Sequence, residues 1–149
     1  MKYAQENNKP IMVDFTGYAC INCRKMEEHV WPEDNILDLL KNEYVLISLY
    51  VDDKKELPEA EKIEVQRADG GFRTLENVGH KWAHFQTRFF NANSQPYYVL
   101  LSPDGKTQLN NPIAYTDAES FKAFLECGLE NNKNLNPFGG QSIFDVSNE

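Results

Sequence analysis

The stretch "DFTGYACINCRKMEEHVW", residues 14–31, sets Cys20 and Cys23 between an apolar run and a charged segment with helical spacing. Upstream, "PIMVDFT" (10–16) is short and carries β-branched and aromatic residues, a pattern that predicts a buried strand. Past Cys20 the period changes. Cys23, Met26 and Val30 recur at i, i+3 and i+7, which is one face of a helix. A helix opening at Cys20 would put that sulfur among the unpaired N–H groups of the first turn, where the helix dipole favours a thiolate. Cys23 then lies one turn on, on the same face, at a Cα separation of about 5.5 Å that a disulfide can span. Cys20 reads as the nucleophile and Cys23 as the resolving thiol, with Arg24 and Lys25 adding positive charge nearby. Two other readings stay open at this point: half of a metal site, or a buried and idle thiol pair. Tetrahedral zinc would need two further ligands, and Cys127 stands alone while His80 and His84 are remote in sequence.

The composition narrows the partners. With 149 residues the chain can form one domain that buries roughly two-thirds of its unfolded surface. A net charge of −8 argues against nucleic acid and acidic membrane surfaces, both of which need clustered Lys and Arg. No apolar run approaches the ~20 residues of a membrane helix, and "MKYAQENNKP" lacks the apolar core of a signal peptide. Because helix-like residues stand directly before the first strand, the expectation is a domain excised from a longer chain.

Further along, Pro32 interrupts the helix and "EDNILDLLKN" supplies a second piece with Ile36, Leu39 and Leu40 on one face. "YVLISLYV" (44–51) is nearly continuous apolar, which predicts a central strand covered on both sides. The polar stretch 54–79 is long for a connection and reads as an insertion that overhangs the core, its charge run at 52–64 a solvated surface. A helix follows through "HKWAHFQTRFF" with Trp82, Phe85 and Phe89 as packing residues. "QPYYVLLS" starts a strand, "SPDGK" turns into a second one, and a last helix over "TDAESFKAFLECGLE" starts with Thr116 and Glu119 at capping-box spacing. Residues 131–149 read as a tail whose order depends on docking. His29, His80 and His84 read as surface or capping groups, and Cys127 as an inert thiol on a helix flank.

Residues 5–130 resemble the thioredoxin superfamily, through "VDFTGYACINC" and, far away, "FNANSQPYYVLLSPDGK". The resemblance implies an α/β thioredoxin-like fold, a central mixed sheet flanked by helices, with the 54–79 insertion ahead of the helix that precedes the proline strand. It also implies that Asp14 is a buried carboxylate moving the proton of Cys23, a role that a burial-raised pKa suits. Pro96 would be a cis-proline opposite the cysteines, with Gln95 offering its backbone to an extended substrate strand. Tyr18 would border the site. "FTGYACINCRKMEEHVW" and "NSQPYYVLL" are similar in particular to the C-terminal periplasmic domain of DsbD-type thiol:disulfide interchange proteins. That implies a periplasmic protein-disulfide reductase, fed by a membrane domain of the same full-length chain and delivering electrons to exported protein partners, with no metal and no organic cofactor. Where the superfamily has Trp before the first cysteine, Gly-Pro between the two, and a lysine beside the buried acid, this chain has Ala19, Ile21-Asn22 and Ser48. The competing reading is a non-catalytic thioredoxin-fold binding or chaperone-like module, because one fold hosts many functions.

Overall fold

The computed structural model describes residues 1–135. After a five-residue helix α1 (Lys2–Glu6), the chain enters β1 (Ile11–Thr16), all six residues of which are buried. β1 is the central strand. It pairs in parallel with β2 (Val45–Tyr50) and antiparallel with β5 (Tyr97–Leu101), giving the mixed sheet order β2-β1-β5. Between β1 and β2 lie α2 (Ile21–His29) and α3 (Asp34–Asn42), divided near Pro32, which has no N–H with which to continue a helix. The helix α4 (Val78–Phe90) precedes β5, and α5 (Ala118–Lys133) closes the fold.

Alternation along β1 assigns the two faces of the sheet. Met12 faces a core with Met26 of α2, Ile36 and Leu40 of α3, and Phe121 and Leu125 of α5. Ile11, Val13 and Phe15 face the other way, against Trp82, Phe85 and Phe90 of α4. Asp14 has the parity of Met12 and so projects toward the layer that holds α2. In register it stands between Ser48 of β2 and Tyr98 of β5.

Four local expectations are corrected. β2 is an edge strand: no described strand pairs with its outer side, and Leu46 and Ser48 are exposed. An apolar run records hydrophobicity and not the number of its neighbours, and only the face packed by α4 is well covered. The strand after the Asp104-Gly105 turn is reduced to isolated bridges, Leu101 with Gln108 and Tyr98 with Ile113. Asn110, Asn111 and Pro112 separate them, and proline cannot donate to a ladder. The cap of α5 is Asp117, whose carboxylate accepts from the Ser120 N–H at 2.8 Å, one residue after Thr116. That helix also runs on to Lys133, past 130, and the rest of the tail, 136–149, lies outside the described residues.

The polar stretch 54–79 has structure of its own. A 3₁₀ turn (Glu59–Glu61) leads to a hairpin of β3 (Glu64–Gln66) and β4 (Phe72–Thr74), with Gly70 at φ +87° in its turn. Buried Leu57 and Leu75 and a Lys62 ammonium shared by Glu56 and Glu59 tie it together.

Candidate active site

The loop from β1 to α2 brings the two cysteines to the end of the central strand. Cys20 caps α2, and its sulfur accepts the Cys23 N–H at 3.2 Å. The two are joined in a disulfide with a Cα separation of 5.3 Å. Burial differs sharply within the pair: Cys20 is half-buried, whereas Cys23 is 1% exposed in the stripe with Met26. An incoming sulfur therefore has access to Cys20.

Asp14 is 1% exposed. Its Oδ2 accepts the Ser48 hydroxyl at 3.1 Å, while Oδ1 is buried with no partner among the described residues. Its pKa is raised to about 7: desolvation is the largest cause, the Ser48 hydrogen bond opposes it, Glu27 adds to it and Arg24 lowers it. Tyr98, its neighbour across β5, has its hydroxyl held above the ordinary value by burial and then by Asp14 itself. Arg24 does not remain free for the sulfurs. It donates to Thr16 Oγ1 at 3.0 Å and the Gly17 carbonyl at 3.3 Å, and pairs with Glu27 at 3.0 Å.

The rim of the site depends on Asp52, which the sequence offered only as part of a solvated charge run. Its Oδ1 accepts the Tyr18 N–H at 2.9 Å and its Oδ2 the Ala19 N–H at 3.0 Å, so one carboxylate holds the backbone leading into Cys20. Partial burial alone would raise this acid, but the Ala19 and Tyr18 donors outweigh burial and hold it below the usual carboxylate range. Gly17 makes room, since a Cβ there would lie 3.0 Å from Asp52 Oδ2. Gly79 at the start of α4 does the same further back: a Cβ would meet the Val51 carbonyl oxygen at 2.6 Å. The signal in sequence was positional, an acid two residues past a parallel strand, on the side where β1 delivers the cysteines.

Tyr18 is 63% exposed and stacks on Tyr50 with ring centroids 4.2 Å apart, and Ile21 beside it is 73% exposed. Opposite, the Gln95–Pro96 peptide is cis and Pro96 is buried. Because Tyr97 is in register with Phe15, Pro96 follows beside Thr16, where the cysteine loop departs. Gln95 makes no backbone hydrogen bond among the described residues, and its side chain is held by Gln86. Gln86 is fully buried, accepts from Gln95 Nε2 at 2.9 Å and donates to the Ser94 carbonyl at 2.9 Å. Sequence pattern missed this residue, because a glutamine in an aromatic helix face gives no sign of pointing inward. Cys127 is exposed on α5, outside this constellation; it forms no disulfide, and its sulfur accepts the Asn131 side-chain amide at 3.6 Å.

The sequence model of the thioredoxin-like domain family matches residues 1–128. No curated protein sequence matches the chain. Among solved structures, a DsbH oxidoreductase superposes with a TM-score of 0.59 at 16% identity, over 87% of this chain and 78% of that one. A thioredoxin from Thermus thermophilus gives 0.56 at 20% identity, over 84% and 77%. The oxidised C-terminal domain of DsbD from Neisseria meningitidis gives 0.52 at 16% identity, over 84% and 85%. Identities this low speak for the fold alone. The fold together with a Cys-x-x-Cys disulfide at its active-loop position supports a thiol–disulfide oxidoreductase, and the chain belongs to the thioredoxin-like domain family of the thioredoxin superfamily.

Proposed function

We propose that this chain is a protein-disulfide reductase. In the reduced form the Cys20 thiolate attacks a partner disulfide, forming a mixed disulfide and expelling one partner thiolate. Cys23 then loses its proton and attacks Cys20 Sγ. The second partner thiolate leaves, and the Cys20–Cys23 disulfide present here is the product; two electrons have passed to the partner, and no organic cofactor is required. The observation that carries this reading is the asymmetry of the site: a closed disulfide with one accessible and one buried sulfur, with a buried carboxyl raised to a pKa of about 7 on the strand that leads into it and within the influence of Arg24 and Glu27 of α2. Asp14 is the acceptor for the Cys23 proton, since its pKa of about 7 lets it take and release a proton at working pH. Tyr18, Gln95 and Pro96 shape the surface on which an extended partner strand lies, with the free Gln95 backbone as its pairing edge.

Within this proposal the partners are exported proteins in the periplasm, and a membrane domain of the full-length chain re-reduces Cys20–Cys23. The thioredoxin-like domain takes in residues 1–130, and 54–79 is an insertion in it. The fold likeness to a DsbH oxidoreductase and a DsbD C-terminal domain supports this placement.

The test uses two substitutions. Cys20→Ser should reduce insulin-disulfide cleavage to background, whereas Cys23→Ser should accumulate a mixed disulfide visible by mass spectrometry. Wild-type turnover in either variant would overturn the assignment. The direction of electron flow is read from the couple's potential in thiol buffers: a value near or below about −270 mV fits a reductant, and one near about −120 mV an oxidant. A protein with no exchangeable disulfide would favour the binding-module reading instead.

A further inference from the structure

Away from the cysteines, the β3–β4 hairpin and α4 enclose an open cleft of about 990 Å³. His80, His84 and Arg88 follow one another at i, i+4 and i+8 along the α4 wall, a spacing that stacks side chains on one helix face. Arg67 and Arg73 line the facing hairpin wall. In a chain of net charge −8, three guanidinium groups thus share one cleft with a single lining acid, Asp69. Asp69 pairs with Arg67 at 3.2 Å, while Arg73 and Arg88 have no ion pair among the described residues. The field of both arginines acts on the histidines: burial and then Arg73 push His80 down, against Glu76 and with Lys54, and burial and then Arg88 push His84 down. Val65 and Ala83, both partly exposed, add apolar surface to the lining.

We propose that this cleft is a docking site for an extended acidic peptide segment of a partner protein, one that alternates carboxylate and apolar side chains. Guanidinium groups pair carboxylates in bidentate fashion and are weakly hydrated, so unpaired arginines on two walls suit such a chain. The cleft is at the upper end of small-ligand volumes, about 300–1,000 Å³, and open to solvent, which fits a peptide segment better than an enclosed small molecule. The net charge of −8 disfavours a long polyanion such as nucleic acid, whereas a short peptide stays within the reach of the cleft's field, about 10 Å at ordinary ionic strength. The α4 wall continues through Asn91 and Asn93 toward Gln95. A segment seated here is held on the same connection that leads to the proposed substrate edge, but its binding requires no redox step.

The experiment is fluorescence anisotropy on the oxidised full chain with a labelled ten-residue peptide alternating Glu and Leu, beside its Gln counterpart. The site is supported if the acidic peptide binds and weakens with added salt, if the Gln peptide binds about tenfold less tightly, and if Arg73→Glu with Arg88→Glu costs at least about tenfold. Both arginines are exposed, and the double variant should keep its circular dichroism and its cleavage of insulin disulfides; the milder Arg73→Gln should lose less. Equal binding of both peptides, indifference to the double substitution, or no binding at all would overturn the proposal. Displacement of the peptide by inorganic phosphate as effectively as by unlabelled peptide would also overturn it, by reassigning the cleft to small anions. Because insulin cleavage is measured separately, a failure here leaves the reductase reading untouched.

Discussion

Two aspartates serve the same cysteine loop and hold their protons in opposite ways. Asp14, at the floor of the site, has one hydroxyl donor and a buried oxygen without a partner among the described residues, and its pKa rises to about 7. Asp52, at the rim, has two backbone N–H donors and partial access to water, and its pKa falls below the ordinary value. The difference lies in whether the fold supplies donors to replace the water that burial removes. The floor acid is thereby suited to proton exchange and the rim acid to fixing backbone.

The comparison breaks most visibly at Asp14. Its folded pKa lies above its unfolded 3.8, so the native state binds the proton more tightly. Stability should then decline as pH rises from about 4 through about 7, as the buried carboxyl is forced to ionise. At about 1.4 kcal/mol per tenfold change in proton affinity, the penalty above neutrality is roughly 4 kcal/mol. Asp14→Asn should recover much of that at pH 8, gain little at pH 4, and slow disulfide turnover by about a hundredfold or more through loss of the proton acceptor. Urea unfolding at the two pH values, beside insulin cleavage, checks this; a variant equally stable to wild type at pH 8 would contradict it.

Asp52→Ala tests the opposite sign. Its folded pKa is lowered, so its stabilisation is present above the unfolded carboxylate value and is lost as pH falls through the folded one. Both donors are exposed enough for water to replace the carboxylate, so the cost at pH 7 should be about 1–2 kcal/mol, vanishing in strong acid. Amide hydrogen exchange at Tyr18 and Ala19 should accelerate in the variant, and unchanged protection would show that the rim is held by something else.

The smallest effect belongs to Ser48→Ala. Removing the hydroxyl that favours ionised Asp14 should raise that acid further and cost about 1 kcal/mol at pH 8, with little change at pH 5, where Asp14 is protonated. A loss of equal size at both pH values would mean that Ser48 matters for packing and not for the charge.

Much of this arrangement was legible before the structure. The apolar run at 10–16, the change of period at Cys20 and the aromatic helix face each follow from side-chain spacing, and local spacing is what a sequence records. Asp14 stood inside an apolar strand, where an acid is conspicuous. Asp52 stood in a charge run, where one more acid has no contrast, and its partners are main-chain groups that carry no residue signature. Gln86 escaped for a similar reason, because its partners at Ser94 and Gln95 are reached only once the chain turns back against α4 after Asn91. The edge position of β2 was illegible because strand neighbours are set by topology, and an apolar run is compatible with one neighbour or two.

The most direct test is a carbon-detected NMR titration of the carboxyl groups in the oxidised protein, with Asp14→Asn and Asp52→Ala spectra for assignment. The account predicts that Asp14 titrates with a midpoint of about 7 and Asp52 below 3.8 in the same sample. Coincident midpoints near 3.8 would contradict it, and with it the assignment of Asp14 as the proton acceptor of Cys23.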